Sequence, residues 1–163
     1  MSGDTMAVEE RVVTTVAELK ELVGQSMGVS DWLEITQERV NLFADATGDH
    51  QYIHVDPERA KQTFFGGTIA HGYLTLSLIP ALSSTRQGVK VQLGGRMGVN
   101  YGLNKVRFIS PVHVGKRIRM QVTLLAVEEI GAQAVQMTNL CTIYVEGEER
   151  PACIAETLGR TYF

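Results

Sequence analysis

The stretch from Gln62 to Ser84, QTFFGGTIAHGYLTLSLIPALSS, holds no Lys, Arg, Asp or Glu. Its length raises the question of a membrane span, because about 20 apolar residues cross a bilayer. Its composition argues against one. Gly66, Gly67, His71, Gly72, Pro80, Ser83 and Ser84 interrupt it, and the continuous apolar part is only Tyr73 to Leu82, itself broken by Thr75, Ser77 and Pro80. Such a segment predicts a helix from about Gly72 to about Ser84, apolar on most sides and therefore buried in a protein core. Pro80 lacks an amide donor and predicts a kink, or the start of the last turns.

Downstream of Gly88 the pattern changes period. Ile118, Met120, Val122, Leu124 and Ala126 alternate with Arg117, Arg119, Gln121 and Thr123, as in an antiparallel strand with one buried face. Val135, Met137, Cys141, Ile143 and Val145 share one face of the next strand, after a turn at Gly131. Glu146-Gly147-Glu148-Glu149 turns into a last strand, Pro151 to Tyr162, and Met97 to Phe108 reads as an earlier one.

Upstream the pattern is mainly helical. Val16 to Val23 has apolar residues at helical spacing, and Asp31 to Ile35 alternates as a short strand. Thr36 caps a further helix, whose inner stripe is Val40, Phe43, Ala44 and Thr47, with Gly48 at the left-handed C-terminal cap. Asp56-Pro57 restarts a brief helix. Helices first and antiparallel strands after make an α+β chain. A curved antiparallel sheet wrapped around a long central helix, the hot-dog architecture, is one of several ways to bury the apolar helix.

The 163 residues and 17.9 kDa fit one domain spanning 1–163, with 1–11 expected to be flexible. A net charge of −3 is poor footing for binding nucleic acid or an anionic membrane. Cys141 and Cys153 are too few for a disulfide framework or a four-cysteine zinc site, and read as reduced. Met1-Ser2-Gly3-Asp4 lacks the pattern of a secretory signal, so a cytoplasmic location is expected.

The densest chemistry lies in Gly48-Asp49-His50-Gln51-Tyr52-Ile53-His54. Asp49 and His54 would point about 140° apart on one helix, but a returning loop can bring them together. A carboxylate and an imidazole aimed at one water form a general acid–base pair. The competing readings are a turn aspartate bonded to backbone and a core histidine between Ile53 and Val55. His50 reads as a solvated loop residue. A zinc site from His50, His54 and Asp49 or Asp56 is disfavoured, because Gly48 and Pro57 argue against the helix that such spacing needs. Gly72 heads the apolar helix, where amides are unpaired and a carbonyl oxygen could approach closely; it reads equally as a packing residue.

Gly48-Asp49-His50-Gln51-Tyr52-Ile53-His54, followed by Ala70-His71-Gly72, resembles the signature of the MaoC-like, (R)-specific enoyl-CoA hydratases (hydratase 2), and most closely their nodulation protein N-like subgroup. The likeness continues through Tyr101 to Phe108 and Pro111 to Gly115. It implies the hot-dog fold, and reversible hydration of trans-2-enoyl-CoA to (R)-3-hydroxyacyl-CoA. It implies Asp49 and His54 as the catalytic pair and Gly72 as the oxyanion donor. Gln51 and Tyr52 stand where the family has Asn-Pro. Some members carry a serine at the position of Pro80, with Ser77 one turn earlier here. Gln51, Tyr52, Ser77 and Asn104 are the expected substrate-binding residues. No metal or separate cofactor is expected, coenzyme A being part of the substrate, and acyl-carrier protein is an alternative carrier. Lys105, Arg107, Lys116, Arg117 and Arg119 are candidates for its phosphates, against the competing reading of a solvated strand face. The resemblance also implies a homodimer with sheets joined edge to edge. The alternatives are a hot-dog acyl-CoA thioesterase and a non-catalytic acyl-thioester-binding subunit.

Overall fold

The computed structural model describes residues 9–163. Most of the segment expected to be flexible, residues 1–8, lies outside the described residues; Arg11 opens the first strand. In chain order the elements are β1 (Arg11–Val13), α1 (Val16–Lys20), β2 (Ser26–Val29), β3 (Leu33–Glu34), α2 (Gln37–Thr47), α3 (Tyr52–Val55), α4 (Pro57–Ala60), α5 (Gly72–Ser77), α6 (Ile79–Ser84), β4 (Gln87–Val91), β5 (Met97–Phe108), β6 (Arg117–Ile130), β7 (Ala134–Val145) and β8 (Cys153–Tyr162). The caps read from sequence are present. The Thr36 side chain accepts the Arg39 amide, Asp56 accepts the Arg59 amide, and Gly48 closes α2 at φ 77°.

The expected long central helix is two short ones. Helices α5 and α6 meet at Leu78, and Pro80 lies in the first turn of α6. A proline ring cannot donate to, and clashes with, the carbonyl four residues earlier, so the apolar run cannot continue as one rod. The sheet also departs from expectation. Its order is β1-β4-β2-β6-β7-β8-β5, with β3 paired to β6, and it is open rather than curled around a helix. It is not wholly antiparallel, since β1 runs parallel to β4. The helices pack against its middle, α5 on β8 and α6 on β6. Strand β5 is exposed along its length except near Val106. The fold is therefore α+β, but a curved sheet wrapped around a long helix is not what forms.

The core lies between the helices and β6–β8. Leu19, Met27, Ile35, Val40, Leu82, Ile118, Met120, Leu124 and Ile143 are its large, fully buried side chains. Burial alternates along β6 as expected up to Leu124. A register shift between Leu124 and Ala126 then reverses the faces, so Val127 packs on the core.

Strand β2 depends on a close backbone approach. Gly28 has φ 123°, and a Cβ there would stand 1.7 Å from the Gln87 carbonyl oxygen of β4. Gly28→Ala is expected to destabilise the protein by about 2 kcal/mol or more. Gly67→Ala, where a Cβ meets nothing within 4 Å, should stay within about 0.5 kcal/mol. Chemical denaturation of the two variants checks the contrast.

Candidate active site

Gly48 reverses the chain at the end of α2, its amide donating to the Ala44 carbonyl at 2.8 Å. The Asp49 carboxylate then accepts the Gln51 amide at 3.3 Å, a local turn that opens the single-turn helix α3. His54 lies on that turn and is 7% exposed. Its Nδ1 sits 2.7 Å from the Ile69 carbonyl oxygen. A carbonyl can only accept, so Nδ1 carries the proton and Nε2 keeps a free lone pair. Burial lowers the His54 pKa below the usual imidazole value, the Ile69 bond opposing and nearby His71 adding to the fall. The folded site therefore favours a neutral ring able to take a proton.

Segment 68–70 is held on both sides. The Ile69 amide donates to Ile53 at 3.0 Å, the Ala70 amide to Val112 at 2.8 Å, and the Val114 amide to Thr68 at 3.0 Å. Gln37 of α2 adds a brace: its Nε2 donates to the His54 carbonyl at 2.7 Å, and its Oε1 accepts from the Thr68 hydroxyl at 2.6 Å.

His71 completes the cluster. It is buried and stacks on His54, with centroids 3.8 Å apart and planes at 26°. Its Nε2 donates to the Asp49 backbone carbonyl at 2.9 Å and lies 4.0 Å from the Asp49 carboxylate. Its Nδ1 is buried without a partner among the described residues. Asp49, His54 and His71 each bring a polar atom within 4.8 Å of the others. Stacked rings hold their lone pairs in nearly parallel planes, which suits proton exchange through a shared water better than convergence on one ion.

Beside the cluster a cleft of about 270 Å³ is lined by His54, Gly72, Thr75 and Phe108. Gly72 is the first residue of α5, where helix amides have no partner within the helix. The Phe108 ring lies directly against it, since a Cβ at Gly72 would be 2.9 Å from two ring atoms.

A family model described as a MaoC like domain matches residues 18–144. The chain belongs to the MaoC-like family. The 3-hydroxyacyl-thioester dehydratase Z of Mycobacterium tuberculosis (strain ATCC 25618 / H37Rv) is 53% identical over 150 residues, covering 92% of this chain and 97% of that protein. Nodulation protein N of Rhizobium leguminosarum bv. viciae is 45% identical over 142 residues, covering 86% of this chain and 87% of that one. Among solved structures, the (R)-hydratase from A. caviae involved in PHA biosynthesis matches with a TM-score of 0.65 at 27% identity, covering 84% of this chain and 94% of that one.

In this MaoC-like chain, Asp49 and His54 are brought together, and Gly72 lies on the same cleft as His54. The other expected substrate residues are dispersed. Gln51 is exposed, and the Tyr52 ring lies under the Arg59 guanidinium at 3.8 Å. The Ser77 hydroxyl donates to the Tyr73 carbonyl and lines a second, larger cleft. Asn104 is exposed on β5 and lines neither cleft. Of the cations considered for phosphates, Arg117 is paired with Glu146, and Arg119 stands over the Trp32 ring at 4.6 Å. Three residues outside the expected set also belong to the site: His71, beside Gly72, and Gln37 and Phe108. The Ala70-His71-Gly72 tripeptide was the available signal for the first. Nothing local marked the other two, which come from distant elements.

The two loop histidines should titrate in opposite directions from 6.5, the ordinary imidazole value. His50 is raised chiefly by its hydrogen bond to Asp45, 2.8 Å away. His54 is lowered chiefly by burial. NMR titration should place His50 above 6.5 and His54 below it, and Asp45→Asn should bring His50 down and leave His54 in place. Because the folded His54 resists protonation, its contribution to stability is complete above pH 6.5 and is lost as pH falls from there through the folded pKa.

Proposed function

We propose that this chain is a single-domain enzyme that reversibly hydrates trans-2-enoyl-CoA to (R)-3-hydroxyacyl-CoA, with Asp49 and His54 as the acid–base pair. The observation that carries the reading is the bond from His54 Nδ1 to Ile69, which leaves Nε2 free as a base on a ring that clusters with the Asp49 carboxylate. The dehydratase name of the relative that is 53% identical supports the same reaction class.

In the hydration direction the pair binds one water. Proton removal lets its oxygen attack the β-carbon, and the thioester oxygen gains charge as an enolate develops. The Gly72 amide and the positive end of α5 stabilise that oxygen. Return of a proton to the α-carbon by the Asp49–His54 unit completes addition on one face. Gln51 and Tyr52 border this pair in the sequence, and Ser77 and Asn104 belong to the acyl and carrier surfaces in this reading. The chain would work in the cytoplasm on coenzyme A thioesters, or on acyl-carrier-protein thioesters. Its partner in a homodimer would cover β5, where Met97, Val99, Tyr101, Leu103 and Phe108 are exposed on a strand paired along one edge only.

Crotonyl-CoA should lose its enoyl absorbance without releasing thiol; thiol release would favour a thioesterase, and binding without turnover a non-catalytic subunit. Asp49→Asn and His54→Ala should each lower the rate by about two decades or more. The double variant should be little slower than either, as expected for groups acting as a unit. A tenth of wild-type rate surviving in either single variant would defeat the assignment. Sedimentation at micromolar concentration should give a dimer, and an active monomer would defeat that part of the reading.

Gly72 separates chemistry from packing. In Gly72→Ala the new methyl meets the Phe108 ring, so stability and turnover should both fall. Adding Phe108→Ala removes the clash. Recovery of the melting temperature with turnover still down by about two decades is the expected result for an oxyanion donor whose approach is blocked. Recovery of both would make Gly72 a packing residue.

A further inference from the structure

The larger cleft borders the end of α5 and the length of α6 and has a volume of about 740 Å³. It runs between α5–α6 and strands β5–β8, and its apolar walls include Leu76, Ile79, Leu103 and Leu158. Leu76 lies four residues beyond Gly72 on α5, about 6 Å of helical rise, and Ser83 lies further on, in α6. A chain attached at the Gly72 amide could therefore extend along this cleft away from the acid–base pair. That volume is within the range of small-molecule sites.

The cleft also contains a cation. Arg86 follows α6, lines the cleft and is partly buried. Among the described residues it has no carboxylate partner, and its guanidinium donates to the Val89 carbonyl at 2.7 Å. The ionisable group that acts on it electrostatically is the buried Cys141 thiol. Burial raises that thiol's pKa, with the contact to Thr157, Sγ to Oγ1 at 3.8 Å, and the Arg86 charge opposing the rise. Cys141 therefore stays a neutral thiol near pH 7 and supplies no counter-charge. Burial likewise lowers the Arg86 pKa, yet a guanidinium remains charged in proteins. An unpaired, partly desolvated cation is retained against its desolvation cost unless an anion compensates it. Asn139 and Thr157, cross-strand neighbours on β7 and β8, line the same cleft and add hydrogen-bonding groups.

We propose that this cleft is a specificity subsite for the far end of the acyl chain, and that Arg86 there recognises a terminal carboxylate. This rests on the hydratase reading above. The preferred substrate is an enoyl thioester of medium length whose ω-carbon bears a carboxylate, held by charge-assisted bonds from the guanidinium fork. A purely structural Arg86, bracing the Val89 carbonyl, would affect charged and uncharged substrates alike.

The test compares trans-2-decenoyl-CoA with its ω-carboxy counterpart. Wild type should show at least about tenfold higher kcat/KM for the ω-carboxy substrate, mainly through KM. Arg86→Leu should bring the ratio to one or below, while Arg86→Lys should keep part of the preference. Wild type itself supplies a test independent of any variant: equal or better use of the uncharged substrate overturns the subsite. A preference unchanged by Arg86→Leu overturns the role of Arg86. If neither these substrates nor crotonyl-CoA is hydrated, the hydratase reading itself fails, whereas crotonyl-CoA turnover without the ω-carboxy preference defeats the subsite alone.

Discussion

The site depends on two hydrogen bonds that tie α3 to the segment before α5. The Ile69 amide donates to Ile53, and His54 Nδ1 donates to the Ile69 carbonyl. One residue thus serves as donor and acceptor to consecutive positions of a single helical turn. The pair satisfies buried backbone groups, sets the His54 tautomer and registers α3 against the start of α5. Val112 and Val114 brace the same segment from the opposite side. Gln37 extends the bracing to α2, so three stretches distant in sequence hold one imidazole.

This arrangement gives His54 and Asp49 different environments. His54 is enclosed and biased towards its neutral form, while Asp49 is exposed. His71 is buried more deeply than His54. Its ring is packed by Phe43 and His54, and it anchors the backbone of Asp49. The cluster is thus held through ring stacking and main-chain bonds, and its polar edge remains open to a water or substrate.

The two clefts lie along one broken helix. The smaller borders Gly72 and Phe108, and the larger follows α5 into α6 and ends near Arg86. The interruption near Leu78 and Pro80 therefore does more than shorten a helix, because residues on both sides of it line the larger cleft. Strand β5 borders both clefts and is an outer edge of the sheet. Its exposed apolar side chains link substrate space to the surface available for a second subunit.

Much of this was local and could be read from the sequence. Thr36, Gly48 and Asp56-Pro57 mark helix ends because capping needs only a few neighbouring residues. The alternation in β6 reported its buried face up to the bulge at Leu125, and Asp49, His54 and Gly72 were marked by motif. Other features required the tertiary structure. The parallel β1–β4 pair and the open sheet follow from competition among distant packing surfaces, which periodicity does not encode, whereas the division of the apolar helix is local and was marked by Pro80. Gln37, His71 and Phe108 acquire their places only when α2, α5 and β5 meet. Sequence determined which groups could do the chemistry; tertiary structure decided their protonation and mutual reach, because a buried imidazole's tautomer is set by the carbonyl that folding places beside it.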